Sequence, residues 1–330
     1  VVVAVLIGAV AWYQSQMGGS GGAATVVTVS AGASMGSVTA SLVRAHVVDS
    51  SLAFRVYLAL HGTPTVVPGS YLMHRDDSFG DVRTRLAAGP DVFAVTVLPG
   101  TTVREVAAGV GDAVPRFSGA AFTAAATSPA HRSPWQPPGS GTLDGLLGTG
   151  TYIVLPKQTE GGLVQQMIDR FDTEATRAGL ASAATADGVA PYQAVIVASI
   201  VQKEAISPGD SAAATAHNAG PVARVIYNRL DHGTALQMDS TVLYALDRDG
   251  GTVTAADLAT VTPYNTYLNT GLTPTPICFP SATALNAALH PPAGSWLYFE
   301  LTSRDGTETF SDTLAEHEQA ISLAHSRGLP

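Results

Sequence analysis

The chain has one cysteine, Cys278, and two lysines, Lys157 and Lys203, in 330 residues. A lone cysteine excludes an intramolecular disulfide and any multi-cysteine metal site, although it leaves export open. Scarce lysine leaves no basic face. With a formal net charge of −9 and a pI near 5.4, this argues against a nucleic-acid partner, because phosphates are neutralised by clustered Lys and Arg. The histidines, among them His46, His131, His217, His290 and His317, show no H-E-x-x-H or His-Cys spacing, so no metal site and no cofactor is expected. The Gly-rich stretch from Gly139 to Gly150 lacks the Lys-Ser/Thr ending of a phosphate-binding loop. What the chain does have is 46% hydrophobic residues, 33 Gly and 20 Pro, a mix that excludes a disordered, collagenous or coiled-coil protein. The length has room for two ordinary domains.

Val1 to Tyr13 carry no charge. Thirteen helical residues reach about 20 Å, short of a hydrocarbon core of about 30 Å, so a complete span needs residues upstream. Trp12-Tyr13 then fall where an interfacial belt sits, and Gly18-Gly19-Ser20-Gly21-Gly22 reads as a flexible linker. The pattern predicts the outer end of a transmembrane anchor at 1–13 and a linker at 14–24. A trimmed signal-peptide core and a buried strand are the alternatives.

Alternating, β-branched Ala24 to Val29 predicts a strand, and apolar residues at three- and four-residue spacing predict helices over Ser37–Val43 and Ser50–Leu60. A turn into a strand follows at Val67 to Leu72, then a helix from Val82 ended by Gly89-Pro90. A second cycle starts with the strand Val92 to Leu98 and a helix that Thr101 or Thr102 can cap. Residues 127–142 are too rich in Pro, Gly and Ser to pack as an element, and Gly162 to Leu180 is amphipathic. Toward the end, Ser281 caps a helix through Leu289, a hairpin turns at Asp305-Gly306, and a last helix runs through Leu314 and Ala324.

Pro191 to Ala205, PYQAVIVASIVQKEA, has a helical period that puts Ile196, Ile200 and Glu204 on one face. A carboxyl at the edge of an apolar surface is desolvated, which disfavours its ionised form and lets it serve as a general acid near neutral pH. The competing reading is that Glu204 ends the helix and turns into solvent beside Ser207-Pro208-Gly209. The next helix is expected to begin at Pro221 and to stop at Gly233. Beyond it, Pro263-Tyr264-Asn265-Thr266-Tyr267 supplies hydroxyl and amide donors and ring platforms of the kind that bind uncharged sugars. Such a segment also serves as a loop satisfying its own backbone.

The ordered motifs ASIVQKEA, VARVIYNRL, LQMDSTVLYAL, TPYNTYLNTGLTPTPI, ALHPP and WLYFE resemble the catalytic half of the MltG (YceG-like) endolytic murein transglycosylases, from about Tyr192 to Ala320. VPGSYLM and VLPGTTVREVA resemble that family's LysM-like module and the strand–helix entry after it. The resemblance implies an α+β architecture: a small LysM-like α/β module at 25–90, a connecting segment at 91–150 and a larger mixed α/β catalytic domain at 151–330, behind the anchor. It implies a single-pass protein of the cell membrane with its catalytic domain on the extracytoplasmic side. The implied partners are peptidoglycan glycan strands and cell-wall synthesis proteins.

The family's catalytic acid falls on Glu204, and the first acidic position of its E-K-E segment is Gln202 here, which leaves Glu204 the sole candidate. Tyr264, Asn265 and Tyr267 match YNTY, and Arg229, Gln237 and Asp239 match the N-R and L-Q-x-D positions; all six are expected to line the cleft. Three departures stand out: Asp144 to Tyr152 lacks the family's Pro and second Asp, Ser207 to Gly220 reads as a lengthened loop over the site, and Pro274 to Pro280 replaces P-G-P-I-x-N-P.

Glycoside hydrolysis ordinarily uses two carboxyls. A lytic transglycosylase needs one, as the resemblance implies: Glu204 protonates the glycosidic oxygen and then deprotonates the C6 hydroxyl of the muramoyl sugar, which closes a 1,6-anhydro ring. Two rival readings are a membrane-tethered, non-catalytic peptidoglycan-binding protein and a two-carboxylate muramidase with Asp239 across the cleft.

Overall fold

The computed structural model describes residues 2–182, 188–207 and 209–329. It divides into two compact units, Val1–Val95 with Tyr152–Gln158, and Thr96–Thr151 with Thr159–Pro330.

In the first unit, strand β1 (Ala24–Val29) pairs antiparallel with β2 (Gly69–His74), from Ala24 opposite His74 to Val29 opposite Gly69. Between them run α2 (Met35–Arg44) and α3 (Ser51–His61), each started by a serine, Ser34 and Ser50, whose hydroxyl accepts an N–H of the first turn. The strands alternate, so Val27, Val29, Tyr71 and Met73 point inward onto Leu42, Phe54 and Leu58. Helix α4 (Phe79–Ala88) closes this core with Phe79, Val82 and Leu86. It begins three residues before the expected Val82 because Ser78 caps it.

Helix α1 (Val2–Met17) precedes β1, and its Tyr13 and Met17 pack against the same core while Val3, Ile7 and Val10 stay exposed. Among the described residues no helix is long and apolar enough to cross a membrane. The segment expected as a flexible linker is instead held. The helix continues to Met17, Gly21 and Gly22 donate to the carbonyls of Asp76 and Arg75 at 3.0 and 2.6 Å, and the Ser20 hydroxyl donates to the Asp76 carboxylate at 2.7 Å. A Cβ on Gly19 would sit 2.3 Å from the Asp76 carbonyl oxygen, so glycine here permits close backbone approach rather than free motion.

Strands β3 (Phe93–Val97) and β4 (Gly150–Val154) form a second two-stranded sheet, and the division between the units falls within both. In the second unit, α5 (Val103–Ala113) starts with a reciprocal cap between Thr102 and Glu105. Helix α6 (Gly119–Ala126) was not expected, because an Ala/Gly run with one large apolar residue, Phe122, has no polar–apolar contrast to read. Residues 127–142 hold neither helix nor strand and satisfy their own backbone: Gln136 donates to the carbonyls of Ser140 and Thr142.

After α7 (Glu160–Arg177) comes the central helix, α8 (Pro191–Glu204), in which every residue from Ala194 to Gln202 is buried. Val195, Ile196, Val197, Ile200 and Val201 are β-branched and poor helix formers, so burial on all sides, not propensity, holds this helix. It packs against α9 (Ala212–Asp231), α10 (Asp239–Ala245) and α12 (Ala282–Leu289), with α11 (Ala255–Leu258) beside α10.

Helix α9 corrects the expectation of a start at Pro221. It begins at Ala212, capped by Ser211, and carries Pro221 inside it. Three consecutive alanines propagate the helix, and the missing proline N–H costs less than ending a helix whose buried face runs through Ala214, Asn218 and Val222. The expected long loop over the site is therefore short, since most of it is helix; Pro208, within it, lies outside the described residues. Hairpin β5 (Tyr298–Leu301) and β6 (Glu308–Ser311) and helix α13 (Leu314–Ser326), capped by Thr313 and Glu316, complete the unit.

Candidate active site

The last turn of α8, the first turn of α10 and the segment leading into α5 together line a cavity of about 720 Å³. Glu204 ends α8 and reaches this cavity half-buried, with Asp239, Ser240 and Tyr244 of α10 across from it. One oxygen of its carboxyl accepts two hydrogen bonds from Ser240, at 2.5 Å from the hydroxyl and 3.1 Å from the backbone N–H. Burial raises the Glu204 pKa above the ordinary carboxylate range, the two Ser240 donors pull it partly back, and the nearby charge of Asp239 adds to the rise. The result is a carboxyl biased toward its protonated form yet held by donors that stabilise the carboxylate it becomes.

The residues beside Glu204 secure it. Gln202, at the position where an acid was looked for, turns its carbonyl to the Ser281 N–H at 2.9 Å and starts α12. Lys203 reaches the Gly100 carbonyl at 3.1 Å and pairs with Asp249. The Ser199 hydroxyl accepts the Ile277 N–H at 3.0 Å, which fixes the segment where buried Cys278 lies; burial pushes that thiol far up, leaving it an inert core group.

Of the six other expected site residues, Asp239 lines the cavity directly. Tyr267 joins it by donating its hydroxyl to Asp239 at 2.6 Å. Tyr264 adjoins the cavity wall through Tyr244, with ring centroids 5.0 Å apart, and its hydroxyl meets Thr275 at 2.8 Å. Asn265 is fully buried and ties its own loop: it donates to Leu258 and Thr260 and accepts from the Tyr267 N–H. Arg229 is buried as well, donating at 2.6 Å to the carbonyls of both Leu297 and Leu236, and it does not line the cavity. The Gln237 side chain is exposed on a left-handed backbone (φ 51°), a conformation that costs a non-glycine residue about 1 kcal/mol or more. Its N–H donates to the Thr266 carbonyl at 3.0 Å, which holds this turn just ahead of Asp239.

Several contributors escaped sequence reasoning. Ser240 lies within the LQMDSTVLYAL motif but gave no sign that it faces Glu204. Buried Thr266 accepts the Met238 N–H at 3.0 Å, so the YNTY loop sets the start of α10. Asp144 accepts the Val103 N–H at 2.7 Å and the Tyr244 hydroxyl at 2.8 Å, linking two walls of the cavity. Glu308, first residue of β6, is a buried carboxyl with one oxygen lacking any hydrogen-bond partner. Burial first, then the charges of Glu204, Asp210 and Glu300, push its pKa up to about 8. Among the described residues no three His, Cys, Asp or Glu side chains gather to hold a metal ion.

Fold and site together define a mixed α/β protein with one desolvated, hydrogen-bonded acid on the wall of an open cavity. The YceG-like family profile matches residues 27–323, and the chain belongs to that family. It is 28% identical over 314 residues to an endolytic murein transglycosylase of Bacillus subtilis (strain 168), covering 89% of this chain and 83% of the relative. It is 23% identical to an endolytic murein transglycosylase of Streptococcus pneumoniae serotype 2, covering 89% of this chain and 57% of that longer relative. A crystal structure of a yceG-like protein from Listeria monocytogenes shares the fold with a TM-score of 0.61 at 23% identity, over 90% of this chain and 98% of that one.

Proposed function

We propose that the protein is an endolytic murein transglycosylase, cutting peptidoglycan between the muramoyl sugar and the next glucosaminyl residue, with Glu204 as both acid and base. One observation carries the assignment of roles: Glu204 is the carboxyl in the cavity that is both desolvated toward its neutral form and held by two donors from Ser240. Protonated Glu204 gives its proton to the glycosidic oxygen as the C1–O bond breaks. The resulting carboxylate, stabilised by Ser240, takes the proton of the same sugar's C6 hydroxyl as that oxygen bonds to C1. A 1,6-anhydro end forms and Glu204 is protonated again. Positioned acid–base catalysis of this kind contributes about 10²- to 10⁴-fold.

Asp239 supports the rival muramidase reading, since it is a second carboxylate on the same cavity. Its hydrogen bond from Tyr267 gives it a structural duty as well. The β1–α2–α3–β2 order with antiparallel strands supports a LysM-like glycan-holding role for the first unit. The exposed apolar Val3, Ile7 and Val10 of α1 support a membrane anchor at this end; the extracytoplasmic placement and the cell-wall synthesis partners rest on the resemblance alone. The test is release of anhydromuropeptides from purified peptidoglycan. Glu204→Gln is expected to abolish release while its circular dichroism stays that of wild type; unchanged release by a folded variant overturns the assignment.

A further inference from the structure

The cavity beside Glu204 carries charge of both signs: Glu105, Asp239 and Asp249 line it with the acid, and so do three cations. Arg104, Lys203 and Arg248 all line it. Each carries an aspartate: Arg104 pairs with Asp247, Lys203 with Asp249, and Arg248 with Asp257 at 2.9 Å. Asp257 is mostly covered, and Arg248 also donates to the Thr252 carbonyl, so that pair braces the segment it belongs to. The other two differ. The side chains of Asp247 and Asp249 are 69% and 65% exposed, so each pair has a solvated aspartate that water competes for.

We infer that Arg104 and Lys203 form a carboxylate-binding subsite for the acidic peptide borne by the muramoyl sugar, a subsite that Asp247 and Asp249 fill in the free protein. The inference rests on the transglycosylase reading above and names which part of the substrate this rim reads. Lys203 directly precedes Glu204, so the subsite adjoins the acid. The sugar that closes its ring at C1 is the one that carries the peptide on its lactyl group, and the peptide's carboxylates are therefore delivered beside the acid. The Gly100 carbonyl, 3.1 Å from the Lys203 ammonium, keeps that cation at the cavity when Asp249 leaves. Asp247 and Asp249 lie on the turn that continues into Gly250 and Gly251, at φ 93° and 90°, outside helix and strand. Arg229, the arginine first matched to the cleft, is committed to backbone carbonyls and has no such freedom.

The test compares glycan strands bearing native stem peptides with the same strands after their peptide carboxyls have been converted to amides. Wild type is expected to cleave the native strands with a kcat/KM about tenfold higher. In Arg104→Gln/Lys203→Gln that preference is expected to fall toward one. Asp249→Asn, which frees Lys203 without touching the cations, is expected to raise the preference severalfold, and it stands as the test if the double variant does not fold. Equal cleavage of both substrates by wild type overturns the inference, as does a preference that neither variant changes. Cleavage of neither substrate by wild type overturns the functional reading and the subsite with it.

Discussion

Glu308→Gln is expected to stabilise the protein at neutral and alkaline pH and to change little in acid. Glu308 is only 7% exposed, one of its carboxyl oxygens has no hydrogen-bond partner, and it lies near the charges of Glu204, Asp210 and Glu300. The imidazole of His217 contacts its backbone carbonyl, at 3.2 Å, and not its carboxyl. Below pH 4.5 both folded and unfolded chains carry the proton, and the amide is a near match for the neutral acid. Between 4.5 and about 8 the unfolded chain ionises while the folded one keeps its proton, so wild type loses stability as pH rises. Each pH unit across that window is worth about 1.4 kcal/mol, which sets the full effect on the order of 3–5 kcal/mol. Asp144, also raised by burial, slopes the same way in both proteins and cancels in the difference. The assay is urea unfolding of wild type and variant from pH 4 to 9. The two stability curves should diverge steadily with pH and run parallel again above about 8; curves that stay parallel throughout refute the buried-acid reasoning. Placing the same substitution on Glu204→Gln should shrink the divergence, because one of the charges opposing Glu308 is gone.

Two further outcomes follow from the site's geometry. Ser240→Ala removes the hydroxyl that stabilises ionised Glu204, so the alkaline limb of the pH–rate profile should move upward while kcat falls, as the carboxylate formed in the first step loses a donor; an unmoved limb removes Ser240 from the acid's environment. Gly145→Ala should cost about 2–4 kcal/mol in urea unfolding. The residue sits at φ 77°, and a Cβ there would lie 2.3 Å from the Pro276 ring; an unchanged midpoint would show that this contact gives way easily.

The acid was legible in the sequence because the relation that exposes it is local: Ile196, Ile200 and Glu204 are spaced by one helical turn each. The groups that tune it were not, because they arrive from far along the chain. Ser240 is 36 residues from Glu204, and Asp144 is 100 residues from Tyr244. No periodicity records such meetings. The YNTY segment illustrates the limit: its composition fits both cleft donors and a loop satisfying its own backbone, and it does both, since Asn265 ties the loop to Leu258 and Thr260, Thr266 holds the start of α10, and the Tyr267 hydroxyl reaches Asp239 at the cavity. Thr102 and Ser281, the cap positions legible in the sequence, do start α5 and α12. Pro221 has the character of a first-turn residue, yet buried Asn218 and Val222 carry the helix through it. Near the N-terminus, Gly19 marks a tight contact with Asp76 instead of a free linker.

The central claim is that one carboxyl suffices because the substrate's own C6 hydroxyl replaces water as the nucleophile. Digesting purified peptidoglycan in heavy-oxygen water and weighing the muramoyl products tests this directly. The account predicts 1,6-anhydro ends that contain no solvent oxygen, produced by wild type and absent with Glu204→Gln. Reducing ends carrying the heavy oxygen would contradict it and make Asp239 the base of a hydrolase.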